Sequence, residues 1–197
     1  ASPFHHSEGT THMLSDEATD ELLRVARRSV EAAVKGQETL DLQVDHPELQ
    51  EEQGAFVTLK TDGNLRGCLG RFESDQSLWK TVQIMARAAA TEDPRFAGRR
   101  ITPQEMDDLT IEISVLSPMQ EIDDPLDLEL GTHGIYVKKG FRTGCFLPQV
   151  AEETGWDKEE FLAHCCSGKA GLSSDAWKDP DTKVFVFTAE VISEDDE

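Results

Sequence analysis

Residues 55–72 read AFVTLKTDGNLRGCLGRF, and this stretch decides the predicted fold. Its first six residues are rich in β-branched and aromatic side chains, which is typical of a strand. The Asp62-Gly63 dipeptide that follows is a strong signal for a two-residue hairpin turn. The segment LRGCLGRF, residues 65–72, is therefore predicted to return antiparallel to the first strand.

The returning strand is expected to present two different faces. Because side chains alternate along a strand, Leu65 and Leu69 are expected to face the core, with Gly67 between them. The opposite face then carries Arg66, Cys68 and Gly70. Glycine inside a strand often marks a bulge or a close approach of backbone. The pattern predicts a strand that lines a pocket.

The rest of the chain mixes helix and strand signals without strict alternation. Helical periodicity or capping residues predict four helices and one short helical turn: 15–35, 77–91, a helix from Pro148, 157–168, and the turn after Thr102. Strand patterns occupy 109–117 and 183–193, a hairpin spans 133–148 with its turn between Lys139 and Gly144, and 118–131 reads as a loop. These signals predict an α+β fold with a mixed, mostly antiparallel sheet and packed helices.

Composition limits the classes of function. The 197 residues contain 19 basic and 39 acidic side chains, and a net charge of −20 disfavours nonspecific binding to nucleic acid or anionic membranes. No apolar run approaches the roughly 20 residues that cross a bilayer. Residues 1–13 resemble a tag remnant or a native tail and not a secretory signal, 15–193 form one domain, and 194–197 form an acidic tail.

The four cysteines predict reduced thiols in a cytoplasmic protein. They are Cys68, Cys145, Cys165 and Cys166, and none of their spacings is C-x-x-C. The neighbours His164, Cys165 and Cys166 point in different directions on a helix, so no metal site is predicted.

Arg66 and Cys68 are the leading candidates for chemistry. A guanidinium beside a thiol lowers the pKa of the thiol, which gives a thiolate nucleophile next to an anion anchor. The alternative is a small buried cysteine in a tight hairpin, with Arg66 paired to a carboxylate. His133 is a candidate general base for Cys68, or else an ordinary hydrogen-bonded histidine.

Four other side chains are weaker candidates for ligand binding. Gln149 lies where a helix start can seat an anion, and Lys169 lies between two glycines at a helix end. Asp93 and Arg95 lie in the short polar segment EDPRF, where local pairing is the alternative.

Seven segments taken in order resemble the AMMECR family, also called AmmeMemoRadiSam system protein A. They run from about residue 15 to 193 and read GAFVTL, LRGCLG, DPRF, IEISVLSP, HGIYV, FLPQVAEETGW and KAGL. The family usually has isoleucine where this chain has Leu69, and Cys145 and the doubled Cys165-Cys166 are unusual for it.

The resemblance implies two interlocked lobes around a cleft, with the signature motif beside that cleft. It also implies association with Memo-like and radical-SAM proteins, and it names no cofactor. Site residues expected from it are Arg66, Gly67, Cys68 and Gly70, with weaker support at Asp93, Arg95, His133, Gln149 and Lys169. Two functions remain open: an enzyme or binder of a small anionic or carbonyl compound that uses Cys68, and a non-catalytic adaptor for such a partner.

Overall fold

The computed structural model describes residues 13–196 and has an α+β architecture of helices and two antiparallel sheets. The helices are α1 (Asp16–Val34), α2 (Leu78–Thr91), α3 (Gln149–Thr154) and α4 (Lys158–His164). The strands are β1 (Ala55–Thr61), β2 (Asn64–Arg71), β3 (Leu109–Leu116), β4 (Gln120–Ile122), β5 (Gly134–Lys139), β6 (Arg142–Phe146), β7 (Lys183–Phe187) and β8 (Ala189–Ser193). The α+β prediction is confirmed, and every pairing between these strands is antiparallel.

The first lobe packs α1 and α2 against a sheet of order β2-β1-β3-β8. Helix α1 begins as predicted, because the Ser15 hydroxyl accepts the N–H of Ala18 and two acidic residues occupy the first turn. Its apolar stripe and that of α2 bury a continuous core against β1 and β3. Fully buried members of this core include Leu22, Leu59, Val82, Ile111 and Ile113.

The second lobe is built on a sheet of order β4-β7-β5-β6. A separate core lies between this sheet, α4 and a π-helical turn at Cys165–Lys169. Its fully buried members include Ile135, Val137, Phe161 and Leu162. The predicted hairpin is present with its turn at residues 140–141, while the predicted loop 118–131 contains the short strand β4.

One stretch of backbone joins the two sheets. The single strand predicted at 183–193 is wrong: residues 183–187 pair in the second sheet and 189–193 pair with β3 in the first. Thr188 makes the crossing, where its N–H donates to Ser117 Oγ at 2.8 Å and its carbonyl accepts the N–H of Ser117 at 2.9 Å. The second lobe is therefore inserted between β3 and β8.

Four aromatic rings meet between the two sheets. The ring of Phe72, just after β2, lies 4.8 Å from that of Phe56, 6.1 Å from that of Tyr136 and 5.8 Å from that of Phe187. These contacts bring the end of β2, which carries the LRGCLG motif and which we call the signature strand, against the second lobe.

The two ends of the chain are described only in part. The predicted tail 1–13 lies outside the described residues except for Met13. Residues 194–196 form a short turn in which Glu194 accepts hydrogen bonds from the guanidinium of Arg27. None of the helices within residues 13–196 has the length and apolar character needed to cross a bilayer.

Candidate functional site

A β-bulge changes the alternation predicted for the signature strand. Leu59 of β1 lies opposite Gly67, but Lys60 lies opposite Leu65, so Arg66 has no partner in the ladder. An extra residue reverses the faces of the side chains that precede it. Leu65 is consequently 37% exposed, and its predicted place in the core is wrong. Leu69, beyond the bulge, packs against the first core as predicted.

The side chain of Arg66, the bulge residue of β2, pairs with a carboxylate. Its Nε and Nη2 donate to the two oxygens of Glu105 at 3.0 and 3.2 Å, and its side chain is 15% exposed. Hydrogen bonds from Arg66 and from the N–H of Thr102 lower the pKa of Glu105. Glu105 thus occupies the Nε and Nη2 edge of the Arg66 guanidinium, which a bound anion would otherwise use. This favours the alternative in which Arg66 is paired to a carboxylate and is not an anion anchor.

Asp93 and Arg95 hold the backbone of Cys68 at the edge of the sheet. The N–H of Cys68 donates to Asp93 Oδ2 at 2.9 Å, and its carbonyl accepts Arg95 Nη2 at 3.3 Å. The Sγ of the half-buried Cys68 lies 3.2 Å from Thr58 Oγ1 on the neighbouring strand. Cys68 is therefore held at its backbone and in contact with Thr58 at its sulfur, and the residue as a whole is partly exposed.

Asp93 and Arg95 form the ion pair that holds this backbone. Arg95 Nη2 donates to Asp93 Oδ2 at 2.7 Å, with Asp93 1% exposed and Arg95 56% exposed. Hydrogen bonding from Arg95 is the main cause that lowers the pKa of Asp93 to about 2, against the opposing effect of burial. The pKa of Arg95 is raised, first by its hydrogen bond to Asp93 and further by the charge of that carboxylate, against the opposing effect of burial.

Local sequence explains how the segment 93–96 reaches Cys68. Pro94 disfavours helix at Asp93, so α2 ends before it. The Asp93 side chain then accepts the N–H of Arg95 at 3.1 Å and begins a short turn. The ring of Phe96 in this turn lies 5.8 Å from the Arg66 guanidinium and 5.7 Å from that of Arg95. The two motifs predicted from the sequence thus meet in one cluster.

The two motif glycines are explained by packing. A Cβ on Gly67 would lie 2.1 Å from the carbonyl oxygen of Ala89 in α2, and one on Gly70 would lie 2.3 Å from the ring of Phe56. Helix α2 and the Phe56 ring therefore occupy the space beside these residues, which the sequence reasoning had assigned to a ligand.

His133 and Gln149 lie in the second lobe, apart from the cluster. His133 Nδ1 accepts the N–H of Glu129 at 3.0 Å, and no hydrogen bond or ion pair within residues 13–196 joins His133 to Cys68. Gln149 is the first residue of the six-residue helix α3. The proposed base for Cys68 is thus not in contact with it.

Lys169 belongs to a different feature, a cavity of about 400 Å³ between the lobes. We call this feature the inter-sheet cavity; it is lined by Phe72, Glu73, Met119, Tyr136, Thr143, Gly144, Cys145 and Lys169. Burial raises the pKa of Cys145 to about 11, although the charge of Lys169 opposes the shift. In the sequence, Cys145 stands out only as unusual for the family that the chain resembles, and nothing in the hairpin that carries Tyr136 and Cys145 indicates a cavity.

The remaining thiols lie in the second core. All four cysteines are free; Cys165 and Cys166 are buried, and burial raises the pKa of both. Within the part of the chain that the structure describes, no group of three or more His, Cys, Asp or Glu side chains is arranged to hold a metal ion.

Comparison with known proteins identifies the family. The AMMECR1 family model matches residues 23–192. The chain belongs to the AMMECR1 family. A protein of Methanothermobacter thermautotrophicus is 41% identical over 98% of this chain and 97% of its own length. A protein of Thermococcus gammatolerans is 43% identical over 93% of this chain and 94% of its own.

The fold agrees with a solved AMMECR1-family relative. The crystal structure of the uncharacterised protein PH0010 from Pyrococcus horikoshii matches with a TM-score of 0.82 at 41% identity. The match covers 92% of this chain and 93% of that one. In this AMMECR1 protein, the LRGCLG and DPRF segments that carried the resemblance are the two that meet at Cys68.

Proposed function

We propose that this AMMECR1-family protein is an enzyme or small-molecule-binding protein whose chemistry depends on the Cys68 thiolate. The observation that carries the proposal is the position of the partly exposed Cys68, whose Sγ lies 3.2 Å from the Thr58 hydroxyl and whose backbone is held by both Asp93 and Arg95. Reactive cysteines are typically partly exposed and lie beside cationic groups, and Arg95 is the cationic group beside Cys68.

Two neighbours of Cys68 supply polar groups beside its sulfur and its backbone. The Thr58 hydroxyl lies within hydrogen-bonding distance of the sulfur, and the Arg95 guanidinium donates to the carbonyl of the same residue. Arg95 is 56% exposed, whereas Arg66 is 15% exposed and paired with Glu105. Both guanidinium groups are paired through Nε and Nη2 with a carboxylate, so exposure alone separates them. Because Arg95 is the more exposed of the two, it takes the role of anion anchor expected for Arg66.

The chemistry that suits this arrangement is addition to a small carbonyl compound. The sulfur lone pair forms the S–C bond, the C=O π bond breaks, and its electrons move to the oxygen. The resulting oxyanion lies within the field of Arg95, which stabilises developing negative charge in such sites. The same steps in reverse release the compound.

Alkylation with iodoacetamide tests the proposal. At neutral pH, intact-protein mass spectrometry with peptide mapping should show Cys68 modified first, and Cys68→Ser should remove that fast modification. Cys145→Ser is the matched control and should leave it unchanged, because the pKa of Cys145 is about 11 and its thiol stays protonated. Modification of Cys68 no faster than that of Cys145 would argue against a thiolate.

A second candidate function is that of an accessory subunit for a Memo-like or radical-SAM partner. The pairing of Arg66 with Glu105 and the contact of His133 with Glu129 support it, because neither residue is available to Cys68 as an anchor or a base. Under this function, a purified partner should be retained by the protein and by Cys68→Ser alike. Absence of any association between the purified proteins would exclude it.

A further inference from the structure

The inter-sheet cavity has the size and lining of a binding pocket and takes no part in the Cys68 site. Its volume of about 400 Å³ falls within the roughly 300–1,000 Å³ that small-molecule pockets occupy. Phe72, Met119 and Tyr136 supply apolar and aromatic surface. Glu73 and Lys169 add one charge of each sign.

The polar side chains of this lining are available to a ligand. Four polar side chains of the lining make no side-chain hydrogen bond or ion pair with any other residue from 13 to 196. They are Glu73, Tyr136, Thr143 and Lys169. The ammonium of Lys169 lies 5.9 Å from the ring of Phe146, which positions the charge without neutralising it.

Packing fixes the backbone of Lys169, a residue that is exposed at the mouth of the cavity. A Cβ on Gly144 would lie 2.5 Å from the backbone nitrogen of Ala170, so the π-helical turn rests directly on β6. The neighbouring Cys145 remains a neutral thiol at physiological pH, because burial raises its pKa to about 11. The cavity thus offers aromatic walls and two separate charges of opposite sign.

We propose that the inter-sheet cavity binds a free α-amino acid with an aromatic side chain. The ligand carboxylate pairs with Lys169, its ammonium pairs with Glu73, and its ring lies against Phe72 and Tyr136. A net charge of −20 repels a simple anion, whereas a zwitterion has no net charge and so avoids this repulsion. Each end of the zwitterion meets the complementary side chain.

Isothermal titration calorimetry with L-phenylalanine and L-tryptophan tests this assignment. Both should bind the wild-type chain, whereas 3-phenylpropionate, 2-phenylethylamine and L-alanine, which each lack one recognised group, should bind at least tenfold more weakly. Lys169→Gln and Glu73→Gln should each weaken binding about tenfold, as loss of one charge-assisted hydrogen bond predicts. Lys138→Gln, an exposed lysine on β5 outside the lining, is the matched control and should not change affinity.

Three outcomes overturn the proposal: no binding of either amino acid at millimolar concentration, equal binding of 3-phenylpropionate, or affinity unaltered by both cavity variants. Cys68→Ser should bind both amino acids as the wild-type chain does. Loss of binding in that variant would place the ligand at the Cys68 site instead and would also overturn the assignment.

Discussion

At Asp93 a single buried carboxylate organises the candidate site. It accepts the backbone N–H of Cys68, the backbone N–H of Arg95 and the guanidinium of Arg95. It therefore satisfies a polar group at the edge of β2 and fixes the position of the Cys68 backbone. Removal of its charge leaves the guanidinium unpaired and weakens the hold on Cys68.

Asp93→Asn should lower the free energy of unfolding by about 2 kcal/mol near neutral pH, measured by urea denaturation. Asp179→Asn is the matched control, because Asp179 pairs with Lys139 at the surface, and no measurable change is expected there. Equal stability of Asp93→Asn and wild type would mean that the ion pair does not hold the cluster.

The lowered pKa of Asp93 predicts that the stability of the protein depends on pH. Folding lowers the pKa of Asp93 from its usual value to about 2, so the carboxylate contributes its full stabilisation above its unfolded pKa of about 4. That contribution is lost as the pH falls through 4 towards 2. The difference in stability between wild type and Asp93→Asn should therefore shrink over this range in urea titrations, and a constant difference would contradict the assignment.

Gly67 is explained by the packing of α2, not by a ligand. Gly67→Ala places a methyl group against the backbone carbonyl of Ala89, which cannot move without displacing the helix. A loss of about 1–3 kcal/mol in unfolding free energy is expected for such overpacking. Gly98→Ala is the control, since nothing lies within 4 Å of the added carbon. Similar stability of the two variants would show that α2 does not press on β2.

At the scale of elements, the bulge in β2 joins this strand to the turn that precedes β3. Arg66 leaves the ladder and binds Glu105, which also accepts the N–H of Thr102 and so completes the cap of that turn. The Glu105 carboxylate therefore connects β2 to the start of β3, although β1 lies between these two strands in the sheet.

A double-mutant cycle with Arg66→Gln and Glu105→Gln should give a coupling energy of about 1 kcal/mol in denaturation experiments. The pair is bidentate and mostly buried, which is the geometry that gives ion pairs a measurable value. Lys183 and Glu121 form a matched surface pair, 60% and 50% exposed, for which a value near zero is expected. Equal coupling energies in the two cycles would contradict the stabilising role of the Arg66–Glu105 ion pair.

Local signals predicted most elements correctly, and long-range geometry accounts for the errors. The hairpin at Asp62-Gly63, the cap at Ser15 and the capping box at Thr102 are each formed by residues close in sequence. The β7–β8 crossing was missed because both halves have the same strand-like composition, and only their partners differ. The bulge at Arg66 was missed because it depends on the register with β1.

The candidate site was predictable only in part, for the same reason. Arg66, Cys68, Asp93 and Arg95 do converge, because the end of α2 directs residues 93–96 back to the edge of β2. His133 could not be placed from sequence, since its distance from Cys68 depends on how the lobes dock. The inter-sheet cavity draws its lining from both lobes, so no single segment indicated it.

At the scale of the whole molecule, Phe72 connects the two lobes through its contacts with Phe56, Tyr136 and Phe187. Phe72→Ala should lower the unfolding free energy by about 2 kcal/mol and reduce the melting temperature in calorimetry. Phe141→Ala is the matched control, because Phe141 lies fully exposed at the β5–β6 turn. An unchanged melting temperature for Phe72→Ala would show that the rings do not stabilise the junction.

The crossing at Thr188 has a consequence for synthesis on the ribosome. The strand β8 completes the first sheet, yet some seventy residues of the inserted lobe separate it from its neighbour β3. While those residues are being translated, the outer edge of β3 has unpaired N–H and carbonyl groups, a known hazard for association between nascent chains. Rapid folding of the inserted lobe would return Thr188 beside Ser117 and bring the last strand to that edge as soon as it emerges.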